Sequence, residues 1–161
     1  MMSRRWTSRR PNDRGAAAVE FALVAPLLLI LVFGIISYGY MLSFRQALSQ
    51  GAAEGARAAA ISPLAAESDW LEDGRNAVNE ALDSYGVNCA GVGVGSALNK
   101  DGSRVGSCSL VIAACAEDAS KLCVTVDLDY EYRDNPLLPS APGVGVVLPP
   151  NLSYSANARA S

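Results

Sequence analysis

Apolar residues follow three different patterns along this chain. The first is a block. From Phe21 to Phe44 there are 24 consecutive residues without a charge, with a lone carboxylate, Glu20, at their head. At 1.5 Å rise per residue such a helix spans about 36 Å, enough to cross a hydrocarbon core of about 30 Å with some tilt. The helix is expected to begin near Ala16, and Pro26 inside it should bend or loosen it locally. The second pattern is a helical stripe. In SFRQALSQGAAEGARAAAIS, Ala47, Gly51 and Gly55 recur every fourth position, with Leu48, Ala52, Ala56 and Ala60 beside them. Arg45, Gln46, Gln50, Glu54 and Arg57 fall largely on the other side. A face of such small residues permits close backbone approach, either to the chain's own domain or to a neighbouring subunit. Pro63 after Ser62 is the expected stop.

A second amphipathic helix is predicted from Ser68 to Tyr85, with Trp70, Leu71, Ala77, Val78, Ala81, Leu82 and Tyr85 on its apolar face. Gly86 is its natural C-terminal stop. The glycine-rich stretch GVNCAGVGVGSALNKDGSRVGSC reads as loop or short irregular strands; no Gly-Lys-Ser/Thr follows its glycines, so it is not a phosphate cradle. The third pattern is alternation. Ser109–Cys115 is a short apolar strand. Leu122–Tyr132 places Val124, Val126, Leu128, Tyr130 and Tyr132 on one face, with Thr125, Asp127, Asp129 and Glu131 on the other. Those carboxylates fit a solvated strand face better than a calcium site, which usually borrows loop carbonyls. A proline-rich connection from Pro136 to Pro150 leads to a last alternating strand, Leu152–Arg159. The expected fold class is α+β: a long N-terminal helix, a second helix and a small antiparallel sheet of three or four strands, pilin-like in outline.

Charge sharpens the picture. Residues 1–14 hold five arginines (Arg4, Arg5, Arg9, Arg10, Arg14) against one carboxylate, whereas residues 45–161 hold eight basic and fourteen acidic residues. A basic flank before an apolar span marks the cytoplasmic side, which sends the acidic domain outward and argues against a nucleic-acid arm. Pro11 and Asn12 speak against a helix in the leader. A cleaved secretory signal is the competing reading, with small residues at Ala56, Ala58 and Ala60 to accept a peptidase. An apolar core of 24 residues is too long for it, because such signals use about 7–15.

The four cysteines, Cys89, Cys108, Cys115 and Cys123, all lie on the proposed outer side. An even count in a small exported domain fits two disulfides with three possible pairings. Sequence proximity favours Cys115–Cys123 and Cys89–Cys108; free buried thiols are the alternative. No C-x-x-C is present and the chain has no histidine, so neither a zinc site nor a histidine-based triad is expected. No serine sits in a nucleophile elbow, and no carboxylate pair has a catalytic setting. The expectation is a substrate and structural part without cofactor, metal or enzymatic activity.

RGAAAVEFALVAPLLLILVFGI, followed by RQALSQGAAEGARAAA, resembles the TadE-like family of pseudopilins, minor components of the tight-adherence apparatus that builds Flp-type pili. VTVDLDYEY, the PLLP after it and LSYSANAR are similar to the family's closing strands. The resemblance implies cleavage by a membrane-embedded prepilin peptidase between Gly15 and Ala16. It places Glu20 at the family's position five residues beyond the cut, followed by Phe21 where tyrosine is common in major pilins. A free amine on Ala16 would then pair with a carboxylate on an adjacent subunit in a low-dielectric helical bundle. The implied organisation is a cytoplasmic leader (1–15), a transmembrane helix (16–44), an amphipathic extension (45–62) and an extracytoplasmic α+β domain (63–161). The implied partners are the prepilin peptidase, other pseudopilins, the major Flp-type pilin and the inner-membrane assembly platform. Two rivals are an anchored binding domain that never assembles and a secreted protein after signal cleavage.

Overall fold

The computed structural model describes residues 13–61, 67–138 and 148–160. The basic leader up to Asn12, the Pro63 stop and most of the proline-rich connection lie outside them. Helix α1 runs from Asp13 to Ile61 with Pro26 inside it. Helix α2 covers Glu67–Leu82, and a single tighter turn, Asp83–Tyr85, finishes it. Gly86 then adopts φ 66°, the left-handed conformation that glycine enters without a Cβ clash, and its N–H caps the Asp83 carbonyl at 2.9 Å.

Five strands follow: β1 (Val87–Cys89), β2 (Ser96–Lys100), β3 (Ser103–Ala114), β4 (Leu122–Tyr130) and β5 (Leu152–Arg159). They pair in chain order, each antiparallel to the next, as a meander. The sheet therefore exceeds the three or four strands expected, and the extra pieces come from the glycine-rich stretch. Asp101 and Gly102 both take positive φ, 50° and 78°, between the paired residues Lys100 and Ser103. That is the two-residue turn whose twist matches a hairpin, and Asp-Gly is among its commonest sequences. Glycine also makes the pairing of β3 with β4 possible, because a Cβ on Gly106 would collide with the Asp129 carbonyl.

Alternation on β4 buries Val124, Val126, Leu128 and Tyr130, with Tyr132 just beyond the strand, in one core with Phe44, Leu48, Val78, Leu82, Leu98 and Leu110. Each large apolar side chain removed from water contributes about 1.5–3 kcal/mol. Helix α1 covers β4 and β5, while α2 lies beside it against β1 and β3. Asn79 ties α2 to β1: its Oδ1 accepts the Cys89 N–H at 2.6 Å. Two disulfides join Cys89 to Cys108, with Cα atoms 5.8 Å apart, and Cys115 to Cys123, with Cα atoms 5.0 Å apart.

Candidate functional site

Helix α1 changes character at Met41. None of residues 15–40 is buried, and Phe21, Leu23, Leu27 and Ile35 are each more than 60% exposed. From Met41 onward one face is sealed against the domain: Met41, Phe44, Leu48, Ala52, Ala56 and Ala59 are all buried. The first part is apolar all round and projects by about 39 Å. Within the described residues it is long and apolar enough to cross a membrane, which makes it a candidate anchor.

The small-residue face of the second part is occupied by the chain itself. A Cβ on Gly55 would stand 2.6 Å from a Val78 methyl carbon, and one on Gly74 would stand 2.9 Å from the Gly55 carbonyl. The α1 and α2 backbones therefore meet where Gly55 faces Gly74, and Ala81 approaches Gly51 in the same seam. Of the two partners the stripe allowed, it uses its own domain.

An aromatic cluster holds the helix where it leaves the domain. The Phe44 ring lies 4.8 Å from Tyr130 and 5.0 Å from Tyr85, and Tyr40 meets Tyr85 edge-on at 5.6 Å. Ser43 shares a 2.6 Å hydrogen bond with the Tyr85 hydroxyl, and Arg45 Nε donates to the Tyr154 hydroxyl at 2.9 Å. That hydrogen bond holds the arginine's pKa above its ordinary value. Burial, chiefly, pushes the Tyr130 hydroxyl up to about 12, and its proton goes to the Asn135 carbonyl at 2.9 Å. The helix and the domain are coupled without a linker, so a force on one is transmitted to the other. Sequence reasoning placed Tyr130, Tyr132 and Tyr85 on apolar faces but did not bring them to Tyr40 and Phe44. The available signal was the aromatic enrichment at the end of the apolar run, typical of membrane–water borders.

Gly15, Ala16, Glu20 and Phe21 all lie on the free end of α1, exposed, with Gly15 and Ala16 inside its first turns. Glu20 has no hydrogen-bond or ion-pair partner among the described residues. A bare carboxylate at the head of an apolar segment is costly in a membrane unless it is paired, less so near the interface. On the outer face of the sheet, Asp129 accepts hydrogen bonds from Asn151 at 2.9 Å and from Ser153. Asp127 stands opposite Ser109 and Ser155 in the strand register.

The arrangement among the described residues is an α+β domain carried on one long helix, a candidate membrane anchor whose first half is exposed. Residues 15–57 match the family model described as TadE-like protein, so this segment is TadE-like and points to tight-adherence pilus systems. The match covers the projecting part of α1 and most of the part packed on the domain. No curated relative and no solved structure matches the chain.

Proposed function

We propose that this chain is a minor, pilin-like subunit of a tight-adherence pilus system, acting by assembly. The observation that carries it is the coincidence of the TadE-like match with a helix whose first half is apolar on every side and covered by nothing among the described residues. In this reading the arginine-rich leader stays in the cytoplasm and the membrane is spanned by residues 16–40 of the expected 16–44 helix, since Met41 and Phe44 are buried in the domain. The acidic domain stands outside, its disulfides consistent with an oxidising compartment. A prepilin peptidase cuts between Gly15 and Ala16, and the new amine on Ala16 pairs with Glu20 of a neighbouring subunit. Withdrawal of the helix into a bundle would satisfy both its apolar surface and that carboxylate. Contacts with other pseudopilins, the major Flp-type pilin and the assembly platform follow from the same role, which needs no cofactor.

Intact mass and N-terminal sequencing of membrane-extracted protein test this reading against its two rivals. The expected N-terminus is Ala16 in a host with the peptidase, and the full leader in one without it. A start near Ala58 or Ala60 would instead mark a secreted protein. A retained leader in the presence of the peptidase would leave an anchored domain that is not processed. Glu20→Ala should still insert, because it removes a charge from an apolar helix, yet fail to support piliation. Normal piliation in that variant would remove the charge pair from the mechanism.

A further inference from the structure

The two disulfides occupy opposite environments. Cys89 and Cys108 are 2% and 0% exposed and belong to the core, where their bond passes from β1 to β3 past β2. Cys115 and Cys123 lie outside that cluster, Cys115 at the edge of burial and Cys123 half-buried. Both line an open cleft of about 420 Å³ at the β3–β4 tip, with the cations Lys121 and Arg159 and the carboxylates Glu117 and Asp118 among its other walls. Every residue between the two cysteines, from Ala116 to Leu122, is exposed. The loop is held by Asp118, which accepts from Ser120 and lies 3.6 Å from Lys121, and by a 2.9 Å bond from the Cys115 N–H to the Lys121 carbonyl. The strands below do not depend on it, because nine residue pairs keep β3 and β4 in register.

We propose that Cys115–Cys123 is a thiol–disulfide exchange site on the folded domain, open to a dithiol reductant or oxidoreductase, and that Cys89–Cys108 is a sealed structural bond. An incoming thiolate attacks the Cys123 sulfur and forms a mixed disulfide. The bond to Cys115 breaks, and Cys115 leaves as a thiolate and takes a proton from water. The reductant's second thiol, deprotonated, then displaces Cys123, so the reductant ends as a disulfide and the protein holds two thiols. Arg159, which has no ion pair among the described residues, faces the same cleft. Its charge favours arrival of a thiolate and departure of another, since exchange rates depend on access and on the leaving thiol's acidity. Reduction frees the 116–122 loop and leaves the sheet intact.

The test uses the full chain in detergent micelles, dithiothreitol under native conditions, quenching with iodoacetamide and peptide mapping. Cys115 and Cys123 should be alkylated at least about tenfold faster than Cys89 and Cys108, whose reduction requires wider opening of the fold. Far-ultraviolet circular dichroism should stay unchanged through the fast phase. Equal rates for all four cysteines, earlier reduction of Cys89–Cys108, or loss of the dichroism signal with the first bond would each overturn the proposal. Arg159→Gln should slow opening by an anionic thiol, mercaptoethanesulfonate, more than by the cationic thiol cysteamine. An equal effect on both would remove the arginine's part in it.

Discussion

Tyr130 carries more than its apolar area. Its ring is fully buried between Phe44 and Tyr132, and its hydroxyl needs the Asn135 carbonyl to leave water without penalty. Burial raises its pKa to about 12, and burial raises that of Tyr132 in the same direction. In the unfolded chain a tyrosine titrates near 10, so between pH 10 and 12 the folded state holds protons that the unfolded state has lost. The stability due to Tyr130 is therefore complete below pH 10 and disappears as pH rises towards 12. Melting temperature should fall through that window, and Tyr130→Phe should fall less steeply, at a cost near neutrality of about 0.5–1.5 kcal/mol for the lost hydrogen bond. Parallel melting curves for the two proteins from pH 8 to 12 would show that this tyrosine is not the titrating group.

At the scale of elements, the decisive contact is between α1 and α2. Glycine inside a helix costs about 1 kcal/mol relative to alanine, and Gly55 and Gly74 accept that cost to let two backbones touch. A side chain at either position has nowhere to go, because Val78 and Leu110 stand where it would be. Gly55→Val should thus lower stability by about 1–3 kcal/mol despite its better helix propensity, by pushing α2 off the sheet. Thermal unfolding of the purified variant checks this; a melting temperature equal to wild type would mean that the helices separate at no cost. The β2–β3 hairpin shows the same logic in a strand setting. Asp-Gly is a common hairpin turn, but the surrounding run of glycines, serines and valines has so little alternation that its sequence supports only a loop or short irregular strands. Register with β4 supplied what the pattern lacked.

For the whole molecule, the chain divides at Met41 into a part that packs and a part that does not. Nothing between Gly15 and Tyr40 is buried, so removal of residues 1–40 should leave the domain folded with both disulfides. The main loss is the Tyr40–Tyr85 contact, about 0.5–1.5 kcal/mol for an aromatic pair. The truncated protein should be soluble without detergent, with a melting temperature within about 10 °C of the full chain. Aggregation or a molten circular dichroism signal would show instead that the projecting segment supports the fold. Conversely, the full chain should need detergent, because an apolar surface of that extent is not tolerated in water.

The amino-acid sequence by itself determined the candidate anchor, the approximate extent of α1, the C-terminal stop of α2 and the alternation of β4 and β5, because each depends on a local period or a single special residue. Length and uniform apolarity were enough for the span from Phe21, and strict alternation was enough for the strand from Leu122. Only the tertiary structure decided that the stripe of small residues faces α2, that β3 begins at Ser103 and that Tyr40, Phe44, Tyr85 and Tyr130 form one cluster. Those are contacts between residues far apart in the chain. A glycine in sequence permits close approach but does not name what approaches, and an aromatic ring can be placed on a face without fixing the ring it meets. The physical reason is that local conformation has few options per residue, whereas packing is chosen among many partners by shape and burial together.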